Sequence, residues 1–420
     1  GTAALMRTAA VQPHGLSCAA NVAKECWEEA GIGADLVAHL VERGTLDVLR
    51  WLRDHVTTDG VVTTSDAWLV HHLTGEPWRF TQGQARFLHM WYAVRPDGRW
   101  LYRSGVKRGA KGAGKDPLAA AVALAEMAGP TYCAGMQDGR PIAVPHRMAL
   151  VQIAANSEAQ AKDVLRVANG MAGLDFREAY GYDAGELRSL LPNRSRIELL
   201  TNSEASSEGD PATAILLNES HHMTRSNGGD ALARVARRNV AKSPGGRARL
   251  VELTNAHVPG EGSVAEGSFE AWQAQVSGKA RTTGILYDSR EAPAHLRLHV
   301  DAERRAGIAA AYSDSPWTDL ERIDEEALDL RTPVQDSVRF YFNALPTNET
   351  AWCDPRKWDA QARPDEVVAD GEQVAMFLDC SKSEDSTALV AVRMSDGHVM
   401  TLGVWARPHG DRGKGWLAPR

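Results

Sequence analysis

Two short stretches of this 420-residue chain combine residue types that handle phosphate. The first, Gly109-Ala110-Lys111-Gly112-Ala113-Gly114-Lys115, fits the spacing G-x-x-x-x-G-K. Glycines at that spacing let backbone N–H groups close round a polyphosphate, and the lysine meets its charge. An alanine-rich helical run, Leu118 to Ala128, follows at once. The loop therefore stands at a helix N-terminus, where orphan N–H groups and the positive dipole end favour phosphate. Two positions depart from the pattern: the Ser or Thr expected to hold magnesium is Asp116, and Pro117 has no N–H. A carboxylate is a good oxygen ligand for Mg2+, but it adds negative charge beside a triphosphate. A Gly/Lys-rich surface turn ahead of a helix is the alternative for this stretch.

The second stretch is an apolar run of buried-strand character, Ala212 to Leu217, ending in Asn218-Glu219-Ser220-His221-His222. A strand ending in two acids completes a phosphate-loop ATPase site: the first carboxylate positions magnesium and the second polarises the attacking water. Here the first acid is an amide, Asn218, and the second is Glu219. The two departures compensate if Asp116 supplies the charge that Asn218 lacks. A further strand, Arg249 to Leu253, ends in Thr254-Asn255-Ala256. Thr254 and Asn255 are placed to sense a γ-phosphate and pass its loss to moving parts, although both types also begin turns for local reasons.

Several elements must position these residues. Residues 1–75 have apolar positions at helical spacing, punctuated by Gly31, Gly33, Gly44 and Gly60. His71-His72 in this region reads as a polar helix surface. A turn at Pro77 and an amphipathic helix carrying Gln84 precede the strand that feeds the glycine loop. Strands over Arg147 to Ala155 and Ile197 to Thr201, with a helix from Ser157 to Val167 between them, predict a mainly parallel sheet. Residues 257–345 read as a smaller helical and irregular subdomain, with an acidic solvated helix over Asp319 to Asp329. Near the C-terminus, Val374 to Asp379, Ala388 to Met394 and Val399 to Trp405 form a three-strand meander.

Composition narrows the classes. A formal charge of −7 argues against bulk coating of nucleic acid, and Arg234, Arg237, Arg238, Lys242, Arg247 and Arg249 read as an ordinary solvated face. The five cysteines include no C-x-x-C pair, so neither a zinc site nor a disulfide framework is expected. With no run of 18 apolar residues and no signal-like N-terminus, a soluble, unexported protein is expected. No G-x-S-x-G occurs.

Over roughly residues 75–410 the order of motifs resembles the large subunit of tailed-bacteriophage DNA-packaging terminases. The resemblance rests on Pro77-Trp78 with Gln84, the loop Gly109 to Asp116, Asn218-Glu219, Thr254-Asn255-Ala256 with the Pro-Gly-Glu-Gly-Ser that follows, Arg339-Phe-Tyr-Phe-Asn-Ala-Leu, and Ala351-Trp-Cys-Asp-Pro-Arg-Lys-Trp. It implies an α/β P-loop ATPase core at 76–256, after a helical N-terminal region at 1–75. A lid subdomain at 257–345 and a bridge at 346–372 follow, and 373–420 is the incomplete start of a ribonuclease-H-like nuclease.

By the resemblance Lys115 grips the phosphates of ATP, Asp116 and Asn218 attend Mg2+, Glu219 orients water, and Thr254 and Asn255 couple. Gln84 stands where translocating ATPases place a glutamine on the adenine edge. Asp379, with Asp385 in support, begins a site for two Mg2+ or Mn2+ ions. The implied partners are double-stranded viral DNA, the portal protein, the terminase small subunit and further copies in a pentameric ring. The implied setting is the host cytoplasm, docked transiently on the procapsid, with no membrane. Two other functions fit the same residues: an inert structural module binding DNA or portal, and a helicase-like ATPase, which would carry a second motor domain where the meander lies.

Overall fold

A computed structural model describes residues 55–56, 62–63, 68–137, 140–200, 211–280, 284–329, 331–346, 361, 363, 366–380 and 387–405. The chain divides into two compact units, residues 1–350 and 351–420.

In the first unit, helix α1 (Gln82–Trp91) begins at Thr81, which forms a capping box with Gln84. Strand β1 (Ser104–Arg108) runs into the glycine loop and α2 (Lys115–Ala128). A separate hairpin of β2 (Tyr132–Gln137) and β3 (Arg140–Val144) follows. Then come β4 (Leu150–Ala154), α3 (Glu158–Met171), α4 (Leu174–Tyr180), β5 (Arg188–Leu190), β6 (Arg196–Leu200) and β7 (Ala214–Asn218). Helix α5 (Gly229–Ala241) leads to β8 (Arg249–Thr254), and α6 (Val264–Val276) to β9 (Ile285–Ser289). Helices α7 (Asp301–Ala311), α8 (Leu320–Leu328) and α9 (Val334–Tyr341) complete it.

The central sheet has the order β9-β1-β8-β7-β4-β6-β5, with every pairing parallel except β5 with β6. Strands β4, β7 and β8 are buried at every position, the pattern of parallel strands covered on both faces. Because side chains alternate, Val151, Ile153, Leu216, Val251 and Leu253 pack into the cluster that contains α2. Leu150, Ala154, Ile215, Leu217 and Leu250 pack on the other face with Leu232, Ala233 and Ala236 of α5. Helix α2 is buried from Leu118 to Ala128, and its alanines let it lie close against the sheet.

The expected α/β architecture with a mainly parallel sheet is present. The sheet also extends past residue 256, because β9 pairs in parallel with β1, Ser104 opposite Ile285 through Arg108 opposite Ser289. Helix α6 covers this edge through Trp272, packed with Val106, Ile285 and Tyr287. Both elements were expected in a separate 257–345 subdomain; a five-residue strand between a glycine and a polar turn carries too little periodicity to reveal its partner. Near the N-terminus, His55–Val56 pairs with Val62–Thr63 in an antiparallel ladder where helix was expected. Residues 1–50 lie outside the described residues, as does Ala351 to Trp358 of the expected bridge.

In the second unit, β10 (Val374–Asp379), β11 (Thr387–Arg393) and β12 (Val399–Trp405) form the expected antiparallel meander, with β11 in the middle. Its final turn is held by Arg393, which pairs with Asp396 at 2.6 Å and with Glu366. No helix among the described residues is long and apolar enough to cross a membrane.

One buried ionic group joins α1 to the edge strand β9 and to its neighbour β1. Asp288 on β9 pairs with Lys107 on β1 and Arg86 on α1, and its side chain is almost inaccessible. Burial by itself would raise this carboxyl, but Arg86 and Lys107 outweigh it and hold it below the usual carboxylate range. A depressed folded-state pKa stabilises the fold above the ordinary aspartate range, and the contribution is lost as pH falls through the folded value. Asp288→Asn is expected to destabilise the protein by roughly 3–5 kcal/mol at neutral pH, because two cations lose their buried partner. Urea unfolding measures this; the gap between variant and parent should narrow in strong acid, and an unchanged midpoint at pH 7 would exclude the role.

Candidate functional site

The C-terminal ends of β1, β7 and β8 lie side by side, and their outgoing loops meet where open α/β sheets bind ligands. From β1 the chain turns through Gly112 at φ 79° and Gly114 at φ 74° before Lys115 opens α2. These are left-handed conformations that favour glycine. At Gly114 an added Cβ would also lie 2.7 Å from Cζ2 of Trp317.

Lys115 is buried, and its Nζ donates to the carbonyls of Ala110 at 3.0 Å and Gly109 at 3.3 Å. Burial pulls its pKa down, while Glu219 and Asp116 oppose that shift. The loop is anchored from β8: the Gly109 N–H donates to Thr254 O at 3.0 Å, and Asn255 Nδ2 donates to Gly109 O at 2.9 Å. Thr254 and Asn255 thus both touch the loop directly.

The two off-pattern residues meet. Asn218 Nδ2 donates to Asp116 Oδ1 at 3.2 Å, across 102 positions of sequence. Asn218 Oδ1 is buried and makes no hydrogen bond. A buried carbonyl oxygen beside a carboxylate is a donor set for a hard divalent cation, so the residues fit the magnesium that such loops imply.

Glu219 follows with φ 53°, an unusual conformation for glutamate, and its N–H donates to Leu253 O at 2.8 Å. Burial raises its carboxyl pKa, against the pull of Lys115. A one-turn helix, Ser220–His222, brings His221 alongside. His221 Nε2 lies 3.4 Å from Glu219 Oε2, and its Nδ1 lies 3.2 Å from Thr254 Oγ1. Burial drives the His221 pKa down to about 2, so the ring is neutral. Contacts therefore run from Glu219 through His221 to Thr254, and from Asn255 to the loop.

These groups open on a cleft of about 820 Å3 lined by the loop, Glu219, His221, His222 and Trp317. His71 and His72 also line it, stacked at 5.0 Å in a turn and not on a helix face as expected. The α7–α9 segment contacts the loop from above. Tyr312 OH donates to Lys111 O at 2.7 Å, Trp317 Nε1 to Gly112 O at 3.0 Å, and Lys111 N to Phe340 O at 2.8 Å.

Gln84 is buried beside Gly114 and Lys115 in a small cavity of about 20 Å3. Its Oε1 accepts from Thr81 N at 3.2 Å, so that atom is engaged in the helix cap. Asp379 lies in the second unit at the exposed end of β10, opposite Ala388 on the central strand. Its strand is thus at one side of the meander, as the order of the three strands implies. Asp385 lies outside the described residues. His221, His222, Trp317 and Tyr312 were given no role from sequence. The adjacency of both histidines to Glu219 was the one available signal.

No protein-family model matches the chain. The Gene 13 protein of Mycobacterium phage D29 is 31% identical over 399 residues, covering 85% of this chain and 66% of that protein. The Gene 13 protein of Mycobacterium phage L5 is equally identical, with 67% of its length covered. This chain belongs to the mycobacteriophage Gene 13 protein family. It spans about two thirds of the length of these Gene 13 relatives. Among solved structures, the HK97 bacteriophage large terminase superposes with a TM-score of 0.50 at 18% identity, over 80% of this chain and 64% of that one. This Gene 13 family member thus has the fold of a phage large terminase, as its motif order implied.

The crowded glycine gives a test of the loop's packing. Gly114→Ala is expected to cost about 1–2 kcal/mol for the left-handed backbone alone, and to push the Trp317 indole off the loop. Thermal unfolding reads the first effect and tryptophan emission the second. An unchanged melting temperature and spectrum would mean that Trp317 does not rest on the loop in solution.

Proposed function

We propose that this chain is the motor part of a genome-packaging enzyme, hydrolysing ATP to move double-stranded DNA into a viral shell. The observation that carries this reading is the convergence of Lys115, the Asp116–Asn218 pair and Glu219 at the ends of parallel strands. The terminase fold and the phage relatives support the setting.

Each residue then has a task. Loop N–H groups and Lys115 bind the phosphates, and Lys115 exchanges the carbonyls of Gly109 and Ala110 for them. Asp116 and the free oxygen of Asn218 hold the cation, which neutralises charge on the phosphates when bound. Glu219, kept in place by its backbone bond to Leu253 and by His221, orients and deprotonates water. Loss of the γ-phosphate reaches β8 through Thr254 and Asn255, and the α7–α9 segment through Tyr312 and Trp317. A pentameric ring on a portal, a small-subunit partner, the host cytoplasm and a two-metal nuclease begun by Asp379 complete the proposal by likeness to large terminases.

Magnesium-dependent ATP hydrolysis should fall on the order of 10²–10⁴-fold in Glu219→Gln with ATP binding retained. Wild-type turnover in that variant would remove Glu219 from the mechanism. If neither protein binds nor hydrolyses ATP, with or without double-stranded DNA, the motor reading fails.

A second experiment addresses the pair. Asp116→Ser should abolish hydrolysis, and adding Asn218→Asp should restore part of it by returning the carboxylate to the strand end. Full activity in Asp116→Ser would show that the charge has not moved between the two positions.

A further inference from the structure

Glu219, His221 and His222 form the one group among the described residues whose potential ligand atoms, three or more, lie close enough to share a metal ion. Their donor atoms all lie within 4.8 Å of one another. The short helix that produces this is closed by the bond from His222 N to Glu219 O at 2.9 Å, with the His222 carbonyl pinned by Asn227 Nδ2 at 2.7 Å. The His221 and His222 ring centroids are 4.0 Å apart.

His221 is 3% exposed, and its Nε2 makes no hydrogen bond while facing the Glu219 carboxylate. Its other nitrogen lies 3.2 Å from Thr254 Oγ1, which in turn donates to Asn255 O at 3.0 Å. Nδ1 also lies 3.4 Å from the Asn255 N–H, so two groups of β8 and its exit pin the ring on that side. With the Nδ1 proton directed to Thr254 Oγ1, Nε2 keeps its lone pair for a cation, the outer support that a metal-ligating imidazole needs. His222 is exposed, so a cation has a route in from the cleft.

We infer that Glu219, His221 and His222 form a site for a late first-row divalent cation, of the Zn2+ or Co2+ class, distinct from the Asp116–Asn218 magnesium position. Two imidazoles with one carboxylate suit borderline cations and leave a coordination position for water. Mg2+ prefers an oxygen shell and does not compete well for this set. The consequence rests on the function proposed above: a cation held by the Glu219 carboxylate takes away the base, so Zn2+ should stop hydrolysis. Binding itself does not depend on that function.

The probe is the metal alone. Co2+ added to the nucleotide-free protein should give visible d–d absorption well above that of aqueous Co2+, and one equivalent of Zn2+ should bleach it. His222→Ala, at an exposed position, should lose that absorption while unfolding at the parent temperature. In ATPase assays with excess Mg2+, the Zn2+ concentration for half-inhibition should rise at least about tenfold in His222→Ala. Failure to hydrolyse ATP would defeat the functional reading and leave the cobalt spectrum as the test of the site. An absent cobalt band, or one of equal intensity in His222→Ala, overturns the inference.

Discussion

A single buried ammonium organises the active edge of this protein. Lys115 lies at the start of α2, out of water, with its charge met by the carbonyls of Gly109 and Ala110 and by the carboxylates of Asp116 and Glu219 nearby. Desolvating a lysine is costly unless such partners are in place. The glycine loop must therefore curl back over its own lysine, two glycines must take left-handed conformations, and β7 must end beside β8. The same arrangement leaves the lysine ready for a stronger anion, because a phosphate offers more charge than two amide carbonyls.

Contacts from three directions hold this arrangement. Strand β8 grips the first glycine of the loop through Thr254 and Asn255, the α7–α9 segment grips its middle through Tyr312, Trp317 and Phe340, and β7 contributes Asn218 to Asp116. Asn343 adds a link by donating to Arg290 O at 2.6 Å, tying the end of α9 to the chain leaving β9. Any ligand that reshapes the loop must alter bonds to both β8 and the helices above it. The loop is therefore a physical junction between β8 and these helices.

Much of this was legible in the residues. The G-x-x-x-x-G-K spacing, the apolar strand running into Asn218-Glu219 and the Thr254-Asn255 strand end all signalled chemistry through local pattern, and each lies at the predicted edge. Asp116 and Asn218 stood out as complementary departures from one pattern, though not as neighbours. Strand β9 was missed because its five residues resemble any apolar loop segment until β1 is there to pair with them. His71 and His72 were misplaced because their spacing says nothing of the turn that presents them to the cleft.

The sequence by itself determined the phosphate-loop pattern, since glycine flexibility and a lysine at short range are properties of consecutive residues. It also determined the alternation of strand and helix, because burial on both faces demands apolar runs of strand length. Only the tertiary structure decided that Asp116 touches Asn218, that Trp317 rests on Gly112, and that Asp288 joins Lys107 and Arg86. It alone set His221 between Glu219 and Thr254. The strand order that places β8 between β1 and β7 brings most of these groups together, and such order is a property of the whole packed sheet that no local spacing encodes.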